Sequence, residues 1–88
     1  MKIKEGFVLR EVADTYIVIA LKSAAVELNG VLSLNASGAM LWQILERGGD
    51  LTALADALVM EYEVSREQAM QDAAEFADRL RQAGCLED

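Results

Sequence analysis

The hydrophobic pattern of this chain changes period at Leu34-Asn35, and that change constrains its fold more than any other feature. Over residues 7–34 the sequence is rich in Val, Ile, Leu and Tyr and carries no long segment of period 3.6. FVLREVA, YIVIAL and VELNGVLSL there read as three strands. Asp14-Thr15 reads as a tight link between the first two, and Lys22-Ser23-Ala24 as a short turn before the third. Parallel neighbours need a crossover of about a dozen residues or more, so links this short predict an antiparallel meander. YIVIAL is apolar at consecutive positions, which predicts a central strand covered on both faces.

After Leu34 the spacing turns helical. Asn35 is a good N-cap, and Met40, Leu41, Ile44 and Leu45 recur at helical intervals around Trp42. Arg47-Gly48-Gly49 ends that helix and Asp50 can cap the next, whose stripe is Leu51, Leu54, Ala55, Leu58 and Val59, up to Tyr62. Ser65 opens a third helix, with Gln68 as its capping-box partner. Ala69, Ala73, Phe76, Leu80 and Ala83 form its apolar face, and Gly84 is the expected stop. Strands and helices are segregated as βββααα, which predicts an α+β fold. Trp42 reads as core, amid Met40, Leu41 and Leu45.

Several function classes are excluded by composition. At 88 residues the chain is expected to be a single domain, 1–88, with one modest core. It has no histidine, the commonest general base and metal ligand, and no zinc spacing or phosphate-loop pattern. The lone Cys85 reads as a buried thiol rather than a nucleophile. Glu61 and Glu63, and likewise Asp72, Glu75 and Asp78, read as solvated acidic faces. No catalysis, metal or cofactor is therefore expected. The net charge is −7. The strand region balances four cations against four anions, so the excess acid lies in the helical part. Nucleic-acid binding needs cations to release counterions, so none is expected. Without a bilayer-length apolar run, an h-region at the start or a pairable cysteine, a cytoplasmic location is the default.

In a meander the first and third strands are both edges. Natural edges are usually blunted by lysine, proline or inward charge. Residues 25–34 offer only Glu27. Such an edge is a hazard or a docking site, because a peptide can add to it as another strand. Gly30 within it reads either as a bulge that turns the strand toward the first helix or as a place where another backbone comes close.

FVLREVADTYIVIAL, ELNGVLSLNASGAMLWQIL and ALVMEYEVSREQAMQDAAEFADRL followed by GCL together resemble the PqqD family of small peptide-modification chaperones, or RiPP recognition elements. The most specific pieces are Leu34-Asn35 with Gly38 and Trp42, then Glu61-Tyr62 with Val64, then Ala69, Asp72, Phe76 and Leu80. The resemblance implies a winged-helix-like domain of three strands and three helices. It would bind the leader segment of a ribosomally made precursor peptide by strand addition to the third strand, against the third helix. It would then present the leader to a modifying enzyme, often a radical S-adenosylmethionine enzyme. Carried onto this chain, the implied peptide-binding residues are Val26, Glu27, Leu28, Asn29, Gly30, Val31 and Leu32 on the edge. On the helix they are Ala69, Asp72, Ala73, Phe76, Arg79 and Leu80. The chain departs from the family pattern at Ala73, Ala74 and Ala77, where larger aliphatics are usual, implying a wider groove or a thinner core. Phe76 stays open between pure core and groove floor.

Two rival readings stand beside this one. A winged helix can be a DNA-binding regulator, although Arg66, Arg79 and Arg81 are opposed on the third helix by Glu67, Asp72, Glu75 and Asp78. Alternatively the open edge could pair two protomers into a homodimer, making the chain an oligomerisation module.

Overall fold

The computed structural model describes residues 1–21 and 32–88. The expected turn at Lys22-Ser23-Ala24, the candidate residues Val26, Glu27, Leu28, Asn29, Gly30 and Val31, and the proposed role of Gly30 lie outside the described residues.

The first two expected strands form a hairpin, β2 (Phe7–Val12) and β3 (Thr15–Ala20), in which Phe7 pairs with Ala20 and Val12 with Thr15. The turn is Ala13-Asp14, one residue earlier than expected, because β-branched Thr15 joins the ladder. Ala13 takes φ 55, the kind of positive φ that two-residue hairpins need to follow the strand twist. On the other side of β3 lies β4 (Ser33–Leu34), also antiparallel, with Leu34 opposite Tyr16 and Ser33 opposite Ile17. The Val18 N–H donates to the Leu32 carbonyl at 3.0 Å, one pair beyond β4 as bounded here. The strand order is β2-β3-β4.

The expected cover on both faces of YIVIAL is not found among the described residues. Burial alternates instead. Val18 is buried beside half-buried Tyr16 and Ala20, whereas on the other face Ile17 is half-buried and Ile19 is 39 % exposed. In an antiparallel sheet one face can stay solvated, and among the described residues the face of Ile19 is the more open. A second sheet joins the chain's ends: β1 (Lys2–Ile3) runs antiparallel to β5 (Leu86–Glu87), pairing Ile3 with Leu86.

The helices α1 (Ala36–Arg47), α2 (Leu51–Glu61) and α3 (Arg66–Ala83) begin at the expected caps. Asn35 Oδ1 accepts from the Gly38 N–H at 2.9 Å, Asp50 Oδ1 from the Ala53 N–H at 2.9 Å, and Ser65 Oγ from the Gln68 N–H at 3.1 Å. Each satisfies one of the four orphan donors of a helix start. The capping box of α3 is only half formed, because the Gln68 amide reaches forward to Asp72 Oδ1 at 2.8 Å. Gly48 at φ 93 ends α1, and Gly84 in the left-handed conformation ends α3.

One apolar cluster holds the sheet and helices together. Trp42, Leu45, Leu54, Leu80 and Cys85 are its largest fully buried side chains, joined by Phe7, Val18, Leu32 and Leu34 from the sheet. The Trp42 indole N–H reaches Glu46 Oε2 at 3.3 Å, so its one polar atom has a partner. Ala69, Ala73 and Ala77 are fully buried. α2 is the main packing partner of α3. The fold is α+β, a three-stranded antiparallel sheet followed by three helices. Among the described residues, no helix is long and apolar enough to cross a membrane.

Candidate functional site

The site is built from the outer side of β4. Antiparallel pairs alternate between those that exchange hydrogen bonds and those that do not. Val18 bonds Leu32, so the next pair, Ile17 with Ser33, is of the non-bonded kind. The N–H and C=O of Ser33 therefore point away from β3, toward the side of β4 on which no described strand pairs. Leu32 and Leu34 on either side are buried and anchor β4 to the core, at 5 % and 3 % exposure.

α3 faces this edge. The Arg79 guanidinium donates to the outward Ser33 carbonyl at 2.7 Å. Beside that contact a cleft of about 280 Å³ opens between the start of α1 and α3. Its α3 wall is Asp72, Glu75, Phe76 and Arg79, the i, i+3, i+4 and i+7 positions of one helix face. Asn35, Ser37, Gly38 and Leu41 form the opposite wall, and Leu58 of α2 also contributes.

Local packing sets the shape. Gly38 permits close approach: a Cβ there would stand 3.3 Å from both Asn35 Oδ1 and the Leu34 Cβ, and 3.4 Å from the Phe76 ring. The start of α1 can thus press against β4 and Phe76 together. Phe76, left open between core and groove, does both, since its ring belongs to the core cluster and also lines the cleft. Asn35 is occupied as a cap and also accepts from Ser37 Oγ at 2.9 Å.

Of the residues expected to bind peptide, the structure brings Asp72, Phe76 and Arg79 together in one cleft. Ala69, Ala73 and Leu80 are fully buried and do not line the cleft. Leu32 presents its backbone to β3 and its side chain to the core. Asn35, Ser37, Gly38, Leu41, Leu58 and Glu75 were missed as cleft residues. The spacing of Glu75 from Asp72 and Arg79 places it on their face, and Gly38 stands out as a glycine inside an amphipathic helix.

The arginines of α3 are all engaged. Arg66 pairs with Asp56, Arg79 holds Ser33, and Arg81 bonds Asp78 and Asp88. Phosphate contacts would have to break these pairs, which disfavours a DNA-reading helix. Cys85 is fully buried, and burial pushes its thiol up from the ordinary value. Among the described residues, no cluster of three His, Cys, Asp or Glu is placed to hold a metal.

Comparison with known proteins bears on this geometry. The family model described as Coenzyme PQQ synthesis protein D (PqqD) matches residues 15–86. No curated protein matches the chain. Two solved structures share its fold. The first, TbiB1 in complex with the TbiA(beta) leader peptide, is 28 % identical, with 99 % of this chain and 95 % of that one covered, at a TM-score of 0.78. The second, lasso peptide synthetase B1 complexed with the leader peptide, is 22 % identical, with 99 % and 96 % covered, at 0.77.

Proposed function

Because this chain belongs to the PqqD family, we propose that it is a non-catalytic peptide chaperone that binds the leader of a ribosomally made precursor peptide. The leader adds as a strand to the outer side of β4 and lays side chains into the cleft walled by Asp72, Phe76 and Arg79. The observation that carries this reading is the outward N–H and C=O of Ser33, set directly beside that cleft. Main-chain pairing supplies sequence-tolerant affinity, and the cleft supplies selectivity for alternate side chains. TbiB1, of similar fold, is known in complex with a leader peptide, which supports the reading.

The chain's task ends with presentation. A radical S-adenosylmethionine enzyme or another peptide-modifying enzyme performs the chemistry, in the cytoplasm, and this domain contributes no cofactor. The absence of histidine from the sequence and the buried, up-shifted thiol of Cys85 support a non-catalytic role. Calorimetric titration with the leader segment of the cognate precursor peptide tests the proposal. Saturable one-to-one binding that a scrambled leader does not reproduce is expected, and equal binding of both peptides would refute it.

A further inference from the structure

A sheet edge on which no described strand pairs invites pairing with another chain, and neither lysine nor proline stands in β4 to prevent it. The guard comes from another element. Arg79, 46 residues away on α3, places its guanidinium on the outward Ser33 carbonyl at 2.7 Å, on the acceptor that an added strand would use. A guanidinium-to-carbonyl bond is charge-assisted and stronger than the neutral bond of a competing strand. We propose that Arg79 is a displaceable guard of the β4 edge, excluding casual pairing and yielding only to a strand that also gains contacts in the adjacent cleft.

Displacement has somewhere to go. Glu75 lies one turn before Arg79 on the same face and lines the same cleft, in the order Glu then Arg at i,i+4 that favours pairing. A guanidinium pushed off Ser33 by an incoming N–H can swing to this carboxylate, so its donors have an acceptor in both states. The guard thereby couples edge pairing to occupation of the cleft, since one side chain borders both. Its meaning for a leader rests on the strand-addition reading above.

The test needs no peptide. In Arg79→Met the aliphatic stem is kept and the donors are lost. Copies of the full chain should then pair through the bared edge. Sedimentation velocity is expected to show self-association about tenfold tighter or more than in the unaltered chain, and the Ser33 carbonyl ¹³C resonance should move. Arg79→Lys, which restores a cationic donor, should reverse much of both effects. Adding Ser33→Pro to Arg79→Met removes the outward N–H at a position where an edge strand tolerates proline, and should abolish the association. An Arg79→Met chain that associates no more than the unaltered one, or whose association survives Ser33→Pro, would overturn the guard. Should the Arg79→Met variant fail to fold, the Ser33 carbonyl shift in Arg79→Lys decides: no movement from the unaltered chain's shift supports the guard only if Arg79→Gln moves it, and overturns it otherwise. Failure of the leader reading would show itself separately, as a peptide that leaves β4 undisturbed.

Discussion

At the scale of single residues, two positions show how differently this small chain uses its side chains. Trp42 is wholly enclosed at 0 % exposure and forms the middle of the core, with its indole N–H satisfied by Glu46. Truncating a buried tryptophan costs about 3–5 kcal/mol, against a total of roughly 5–15 kcal/mol for a domain. Trp42→Ala should accordingly lower the urea midpoint sharply, and peptide binding should fail only in proportion to unfolding. A variant that melts like the unaltered chain yet no longer binds leader would put Trp42 in the site. Ala13 is the opposite case, exposed and conformationally strained by its φ of 55. Glycine takes positive φ without a Cβ penalty, so Ala13→Gly should stabilise the hairpin by roughly 0.5–1 kcal/mol despite its extra unfolded-state freedom. Chemical denaturation reads that gain directly, and a loss of stability would contradict it.

Among the elements, β5, which pairs with β1, is also tied to α3 by a polar clasp. Arg81 near the end of α3 donates to both carboxylate oxygens of Asp88 and, at 2.7 Å, to Asp78. The hydrogen bond from Arg81 holds the Asp88 carboxyl below its ordinary range. A depressed folded-state pKa means that the contribution is complete above the ordinary carboxylate pKa and is lost as pH falls through the lowered one. Both groups are exposed, so global stability should change little. The Asp88 side-chain ¹³C resonance should instead titrate at lower pH than in a short free peptide of residues 84–88, and Arg81→Gln should move it back up. Equal midpoints in the intact protein and the peptide would show that the clasp is absent in solution. These two strands also mark what could not be read from the sequence. Two residues are too few to display a period of two, and the pairing of Lys2 with Glu87 joins positions at opposite ends of the chain. By contrast Asn35, Asp50, Ser65 and Gly84 act locally, and each helix begins or ends where these residues said it would.

Across the whole molecule, the change of period at Leu34-Asn35 sorts the three-stranded sheet from the helices, and the structure follows that division except for β5, which lies beyond α3. The candidate site was only half legible, for a physical reason. Asp72, Phe76 and Arg79 share one helix face and can be found by spacing, but Asn35, Ser37, Leu41 and Leu58 join them only through the packing of three helices. The outward aim of Ser33 depends on ladder register, which shifts every group by one side for each residue of slip. The central claim is that a leader peptide extends the sheet at β4 against α3. Mapping amide shifts and exchange with a cognate leader peptide tests it most directly. Binding should perturb Leu32, Ser33 and the stretch from Asp72 to Arg79, and the Ser33 amide should exchange more slowly because its outward N–H gains a ladder partner. Perturbations confined to α2, with Ser33 and Arg79 silent, would contradict strand addition even if the peptide bound.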